Sequence, residues 1–412
     1  MSDRVDVAIV GGGIGGAALA TVLARAGLAV LVLEHSSVYS DRVRGEWMAP
    51  WGLVELIELG LYDVVRAAGG HHVSRHQFCD EETTPEEAAL RAIDLSTLLP
   101  GVPGPLCIGH PALCQLLIEE AALAGATVQR GVSEVQISPS ERPSVTYRHG
   151  AARHAVTCRL LVGADGRGST VRHQAAIELH RDATHHLFAG LLIAGADRWP
   201  DDLQVFGTED DVHFLAFPQG GGRVRLYLGY ATEQARRFAG VQGPQAFLAA
   251  FRLRSVPGSE HLAHARAAGP CASFPNEDTW TDRVAADGVL LIGDAAGSND
   301  PIIGQGLSIT LRDVRFVRDA LLGERAWSPR IFDGYAAERR ERMRRLRFVA
   351  ALVSTLQNEF GPAASRRRRR VIERQTQDPM MMLPLMAAFI GPHNVPVEAF
   401  EPGVRDRLLG AE

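Results

Sequence analysis

Between Val289 and Asp313 the chain reads Val289-Leu290-Leu291-Ile292-Gly293-Asp294-Ala295-Ala296 and continues through Pro301, Gly304, Gln305 and Gly306 to Leu307. Four apolar residues predict a buried strand, Asp294 a carboxylate carried at its end, Pro301 and the glycines a tight turn, and Leu307 onward a helix. This order of elements wraps backbone around a flat polar ligand. Asp294 can accept hydrogen bonds from sugar hydroxyls. Gly304 and Gly306 let amide groups approach a ring with no Cβ in the way. The helix from about Leu307 aims its dipole at that ring and favours negative charge there.

A second segment points the same way. Asp6 to Val10 predicts a short strand, Gly11 to Gly16 a glycine turn that includes Gly13, Ile14 and Gly15, and Ala17 to Ala26 a helix of small residues stopped by Gly27. Gly11, Gly13 and Gly16 have the dinucleotide spacing: one for the turn, one for approach to a pyrophosphate, one for close helix-to-strand packing. Leu28 to Leu33 predicts the next strand, and Glu34 at its end is placed to accept from ribose hydroxyls. The triplet by itself does not distinguish FAD from NAD. A third strand, Leu160 to Gly163, ends in Ala164, Asp165 and Gly166, followed by Arg167, Ser169 and Arg172. Alone, that segment reads equally as an ordinary strand-to-helix turn capped by Ser169. Three strand ends converging on one crevice are the expected ligand geometry of a doubly wound sheet. Because a reduced flavin is a flat anion, it suits the Leu307 helix start, and FAD is the cofactor these segments together predict.

The three segments resemble the FAD-dependent aromatic-ring monooxygenases of the p-hydroxybenzoate hydroxylase type, in order and spacing over most of the first 320 residues. The resemblance implies an α/β fold: a Rossmann-like FAD-binding domain, an antiparallel-sheet substrate domain and a C-terminal helical extension. It assigns Asp294 to the ribityl chain and puts Pro301, the one catalytic position it marks, beside the reactive edge of the isoalloxazine. It links Asp165 and Gly166 to FAD and nicotinamide binding, and Arg44 to the FAD phosphates. His110 stands where the family often has an Arg or Gln reaching the ribityl chain, and Gly297 stands where the family usually has His. The implied activity is hydroxylation or epoxidation of an aromatic or polycyclic small molecule through a flavin C4a-hydroperoxide. NADPH or NADH serves as transient reductant and O2 as co-substrate. No second dinucleotide turn is present for a nicotinamide domain, which leaves a separate flavin reductase open. Two other readings share the motifs: a geranylgeranyl-reductase-like oxidoreductase, and a flavin-binding sensor or scaffold without turnover.

The expected division is a discontinuous FAD-binding domain of residues 1–75, 105–175 and 279–330, a substrate domain of 76–104 and 176–278, and a helical extension of 331–412. Between 188 and 230 four runs, each bounded by Gly, Pro or Asp, predict strands of a sheet roofing the flavin. In the run from Val212 to Phe217, alternation puts His213, Leu215 and Phe217 on one face and Val212, Phe214 and Ala216 on the other, with His213 and Leu215 as candidate substrate contacts. A single helix is expected near Gly52 to Ala68 and an exposed acidic loop over Asp80 to Glu87. Arg339 to Arg347 and Arg366 to Arg370 are expected on solvated helix faces paired with Glu338, Glu341 and Glu373. Met380, Met381, Met382 and Met386 are expected to pack, with a part in covering the substrate pocket.

Composition narrows the chemistry further. The chain has no lysine, so all 43 basic residues are arginine, and Schiff-base, PLP and phosphate-loop-lysine chemistry are excluded, as is a lysine-relay halogenase. The formal net charge of −5 gives no general attraction to nucleic acid. Five cysteines without metal spacing, and a start with no charged-then-apolar leader, lead to the expectation of a reduced cytoplasmic protein. No apolar run reaches membrane-spanning length. The clusters His71, His72, His76 and His185, His186 bring no Cys or carboxylate at a recognised ligand spacing, so no metal site is expected.

Overall fold

The computed structural model describes residues 4–43, 45–324 and 327–410. Its first layer is a six-stranded sheet in the order Ala285–Ala286, Val289–Leu291, Leu160–Gly163, Val7–Val10, Val30–Glu34, Thr127–Arg130. All neighbours are parallel except the first pair. The central strands are buried along their whole length, as expected for a parallel sheet covered on both faces, which is why they read as unbroken Val, Ile, Leu and Ala. Helix Ile14–Arg25 packs on helices His110–Leu123 and Gly306–Gly323. An antiparallel sheet of Val132–Ser138, Ser144–His149 and Ala152–Thr157 adds Val132, Val145, Tyr147 and Val156 to the same core. Parallel pairing brings the carboxyl ends of Val7–Val10, Val30–Glu34, Leu160–Gly163 and Val289–Leu291 to one edge. That edge is where the expected cofactor motifs begin.

The second layer is an eight-stranded, mostly antiparallel sheet built on His186–Ala194, Arg223–Tyr230, Val212–Gly220 and Leu203–Glu209. The strand Arg75–Asp80 joins it parallel to Leu203–Glu209, and Ile93–Asp94 closes that edge. Alternation sorts its residues cleanly. Phe214, Ala216, Leu226 and Leu228 pack into a core with Phe247 and Phe251, while His213, Leu215, Phe217 and Tyr227 face a cavity toward the parallel sheet.

Three local expectations change. The stretch near residues 52–68 is two helices, Pro50–Glu58 and Tyr62–Ala67, because Gly60 takes φ of +64° between them. The acidic stretch is not a plain exposed loop: Asp80 ends a strand with no exposure, and Thr84 caps helix Pro85–Leu90 in a capping box with Glu87. Nor are the C-terminal arginines only a solvated face. From helix Asp333–Gln357, Arg339 and Arg342 are buried on Asp313, and from helix Pro362–Gln377, Arg368 is buried on Asp80 and reaches Glu81. Buried carboxylates persist in an apolar core only with such partners. The expected surface pairs do form for Arg344 and Arg345 with Glu341 and for Arg369 with Glu373.

Candidate cofactor and substrate site

A cavity of about 1280 Å³ runs between the two large sheets. Gly11, Gly13, Ile14, Gly15, Glu34, His110, Asp165, Gly166, Asp294, Pro301, Gly304, Gly306, Leu307, His213 and Leu215 all line it. Gly16 does not, and Arg44 lies outside the described residues. Strand ends carry the polar floor, and the antiparallel sheet supplies an aromatic roof of Phe78, Phe188, Phe206, Phe217, Tyr227 and Phe274.

The glycines of the first turn have separate tasks. A Cβ on Gly11, where φ is +103°, would stand 2.4 Å from the Ala164 carbonyl oxygen, and one on Gly16 1.9 Å from the Gly11 carbonyl oxygen. These two therefore permit backbone-to-backbone packing of turn, helix and neighbouring strand. A Cβ on Gly15 would meet the Thr310 methyl at 2.7 Å. On Gly13, Gly166, Gly168 and Gly306 it would meet nothing within 4 Å, and all four line the cavity. Bare backbone facing open space, at the N-termini of helices Ile14–Arg25 and Gly306–Gly323, is a cradle for an anionic ligand.

The carboxylates differ in what they have left to offer. Glu34 accepts from the Gly12 and Ser36 amides, both at 2.6 Å, so its orientation is set while each oxygen keeps a lone pair. Asp165 is largely consumed as a cap: it accepts from the Thr170 amide at 2.7 Å, the Val171 amide at 3.1 Å and both nearby hydroxyls. Ser169 caps the same short helix. The ordinary-turn reading of this segment thus describes the carboxylate, while Gly166 beside it faces the cavity. Asp294 is a third exposed and has Arg167 Nε at 3.4 Å, so it retains most of its accepting capacity.

The Gly293–Asp294 turn is braced from the C-terminal helix. Asp313 accepts from the Gly293 amide at 2.8 Å and from Arg342 at 2.7 Å, and pairs with Arg339. Arg339 also donates to the carbonyls of Gly293 at 3.0 Å and Gly297 at 2.8 Å. Trp51 Nε1 donates to Gln305 Oε1 at 2.7 Å, which pins the turn ahead of Gly306. Asp300, adjacent to Pro301, is buried; desolvation raises its carboxyl to about 7, above the ordinary 3.8.

At the roof, His213 Nδ1 is 2.7 Å from the Gly207 carbonyl, and burial lowers the ring to about 4. His76 sits beside Gln204 and stacks on Phe206 with ring centres 4.7 Å apart; burial lowers it to about 3. Sequence reasoning placed His76 with His71 and His72, but the fold disperses them. His71 meets the Asp201 carbonyl, and His72 the Pro105 carbonyl and Tyr62. His185 and His186 also part: His186 contacts Asn276 at 2.8 Å. Met382, Met386, Leu385 and Phe389 of the C-terminal segment complete the cavity wall, whereas Met380 is exposed. Trp47, Gln204 and Phe206, which also line the cavity, had no sequence signal beyond strand alternation.

The family described as FAD binding domain matches residues 4–348. The chain belongs to that family. It is 25% identical over 323 residues to squalene monooxygenase SE2 of Panax ginseng, covering 77% of this chain and 58% of the relative, so it spans little more than half of that protein. It is 28% identical over 378 residues to 6-methylpretetramide 4-monooxygenase of Streptomyces rimosus, covering 87% of this chain and 85% of the relative. Among solved structures, p-nitrophenol 4-monooxygenase of Pseudomonas putida superposes with a TM-score of 0.78 at 19% identity, over 95% of this chain and 100% of that one. The fold is therefore that of the FAD-dependent monooxygenases the first segments resemble. Among the described residues no helix is long and apolar enough to cross a membrane.

Proposed function

We propose that this protein is an FAD-dependent monooxygenase that hydroxylates or epoxidises an aromatic or polycyclic small molecule with NADH or NADPH and O2. The observation that carries this reading is one cavity whose floor offers backbone amides and acceptors for a dinucleotide and whose roof is aromatic. The donor set fits FAD: Gly13 and the helix behind it for the pyrophosphate, Glu34 and Asp294 for sugar and ribityl hydroxyls, Gly306 and Leu307 amides for charge on the ring. His110, at the start of its helix, and Gly166 complete that surface. FAD held by these residues would supply the chemistry of accepting hydride from a nicotinamide and activating O2, of which one oxygen atom would go to the substrate and the other to water.

The chain's own part is to position and to exclude water. Pro301 and Ile303, in the turn Pro301–Ile303, present apolar surface to the cavity where the isoalloxazine would lie. The roof residues His213 and Leu215 meet the substrate from the opposite side, and Met382, Met386 and Phe389 shut the remaining wall against solvent. On this reading residues 1–75, 105–175 and 279–330 serve the cofactor, 76–104 and 176–278 the substrate, and 331–412 the bracing and the remaining cavity wall. A cytoplasmic setting suits the five free cysteines, four of them buried. Direct reduction by a nicotinamide is the reading taken, with a partner reductase as its alternative. Incubation with NADPH or NADH, ¹⁸O₂ and a panel of phenols and polycyclic aromatics, read by mass spectrometry, tests the proposal. One ¹⁸O atom per product supports it. Reductant consumed with a substrate double bond saturated and no ¹⁸O gained overturns it in favour of a reductase, and no turnover with any reductant favours a sensor.

A further inference from the structure

Two imidazoles of the roof carry opposite hydrogen-bonding polarity, and the surrounding chemistry sets which is which. A carbonyl can only accept, so His213 Nδ1, 2.7 Å from the Gly207 carbonyl, carries that ring's proton. His213 Nε2 is then a bare acceptor, buried and without a partner. On the neighbouring strands an indole N–H can only donate, so Trp47 Nε1 at 2.8 Å fixes Oε1 as the oxygen of Gln204. The Gln204 amide nitrogen, 2.9 Å from His76 Nδ1, must therefore donate to it. His76 then carries its own proton on Nε2, on a ring that lines the cavity. Burial keeps both rings neutral at pH 7.

Both rings flank Phe206, His76 stacked at 4.7 Å and His213 edge-on at 6.0 Å between ring centres, and all three line the cavity. We infer that the substrate is a neutral aromatic that lies along Phe206, donates a phenolic or similar hydrogen to His213 Nε2 and accepts from His76 Nε2–H at a carbonyl oxygen. This rests on the reading of the cavity as an aromatic-substrate site and narrows the substrate to hydroxylated ring systems with a separate carbonyl group. An orphaned buried acceptor costs free energy, and a donor on the ligand relieves it. That asymmetry makes a missing donor worse than a missing methyl group.

Calorimetric titration of the FAD-loaded protein at pH 6.5 with 6-hydroxyflavone, 6-methoxyflavone and 6-hydroxyflavan tests the polarity without turnover. The wild type is expected to bind 6-hydroxyflavone about 10-fold more tightly than either probe, each of which lacks one partner. His213→Phe should remove the discrimination against the methyl ether and leave that against the flavan; His76→Phe should do the reverse. Equal binding of all three probes by the wild type overturns the inference, as does a variant that weakens all three alike while retaining its FAD and circular dichroism. If the probes discriminate but no oxygenated product forms, the subsite stands and the oxygenase reading falls. If product forms without discrimination, the subsite falls alone.

Discussion

Exchanging Gly13 and Gly16 for alanine, one at a time, separates the glycine that faces the ligand from the glycine that holds the fold. At Gly13, φ is −72° and ψ −166°, which alanine adopts freely, and the added methyl would project into open cavity. Alanine is a poorer helix N-cap than glycine by up to about 1 kcal/mol, partly offset by the stiffer unfolded chain. Gly13→Ala should therefore leave the apoprotein within about 1 kcal/mol of wild type. The same methyl keeps the pyrophosphate off the helix N-terminus and should forfeit at least one charge-assisted hydrogen bond of about 1.5–3 kcal/mol, or about 10- to 100-fold in FAD affinity. At Gly16 the methyl would lie 1.9 Å from the Gly11 carbonyl oxygen and 3.1 Å from Ile9 Cγ2. Backbone must move to accept it, and the apoprotein should lose more than about 3 kcal/mol. Urea unfolding of the apoproteins and fluorimetric FAD titration read the two quantities. A Gly13→Ala protein that binds FAD normally, or that is destabilised as much as Gly16→Ala, would refute the reasoning.

Arg339→Met should destabilise the protein by about 3 kcal/mol, at the low end for a broken buried ion pair because Arg342 still neutralises Asp313; since the Gly293 and Gly297 carbonyls lose their donor, thermal melts should show a smaller gain on FAD addition than wild type shows. Asp300 holds its proton to about pH 7 when folded and releases it near 3.8 when unfolded. The folded state thus binds more protons in that window, and this group's contribution to stability falls as pH rises from about 4 to about 7. Asp300→Asn keeps an acceptor for the Ile302 amide and should remove a decline on the order of a few kcal/mol, measured as the wild-type minus variant difference in unfolding free energy against pH. Arg368→Met should leave Asp80 buried and unpaired, destabilising the protein by about 3–5 kcal/mol; an unchanged urea midpoint would contradict the clamp between the C-terminal helix and the roof.

What could be read from the sequence was whatever local geometry forces. Gly11 needs a left-handed conformation, and Gly16 needs contact with a carbonyl. Such positions leave a spacing that does not depend on the rest of the chain. Strand alternation likewise grouped His213, Leu215 and Phe217 correctly, but only the packing of Phe214 and Ala216 into the second core decides which face meets the cavity. The arginine braces were illegible because their carboxylates are remote: Arg339 meets Asp313 across 26 residues and Arg368 meets Asp80 across 288. With glutamates three or four positions away, local pairing was the natural expectation for those helices. The polarity of His76 was further still from view, since it depends on Gln204 held by Trp47 across 157 residues.

Reconstituting the apoprotein with FAD and counting flavin per chain after removal of excess tests most directly whether the two sheets enclose one dinucleotide. One FAD per chain, with a visible spectrum perturbed by an aromatic ligand, is the predicted result. A protein that stays colourless at saturating FAD would contradict it, and with it every role assigned here to Gly13, Glu34 and Asp294.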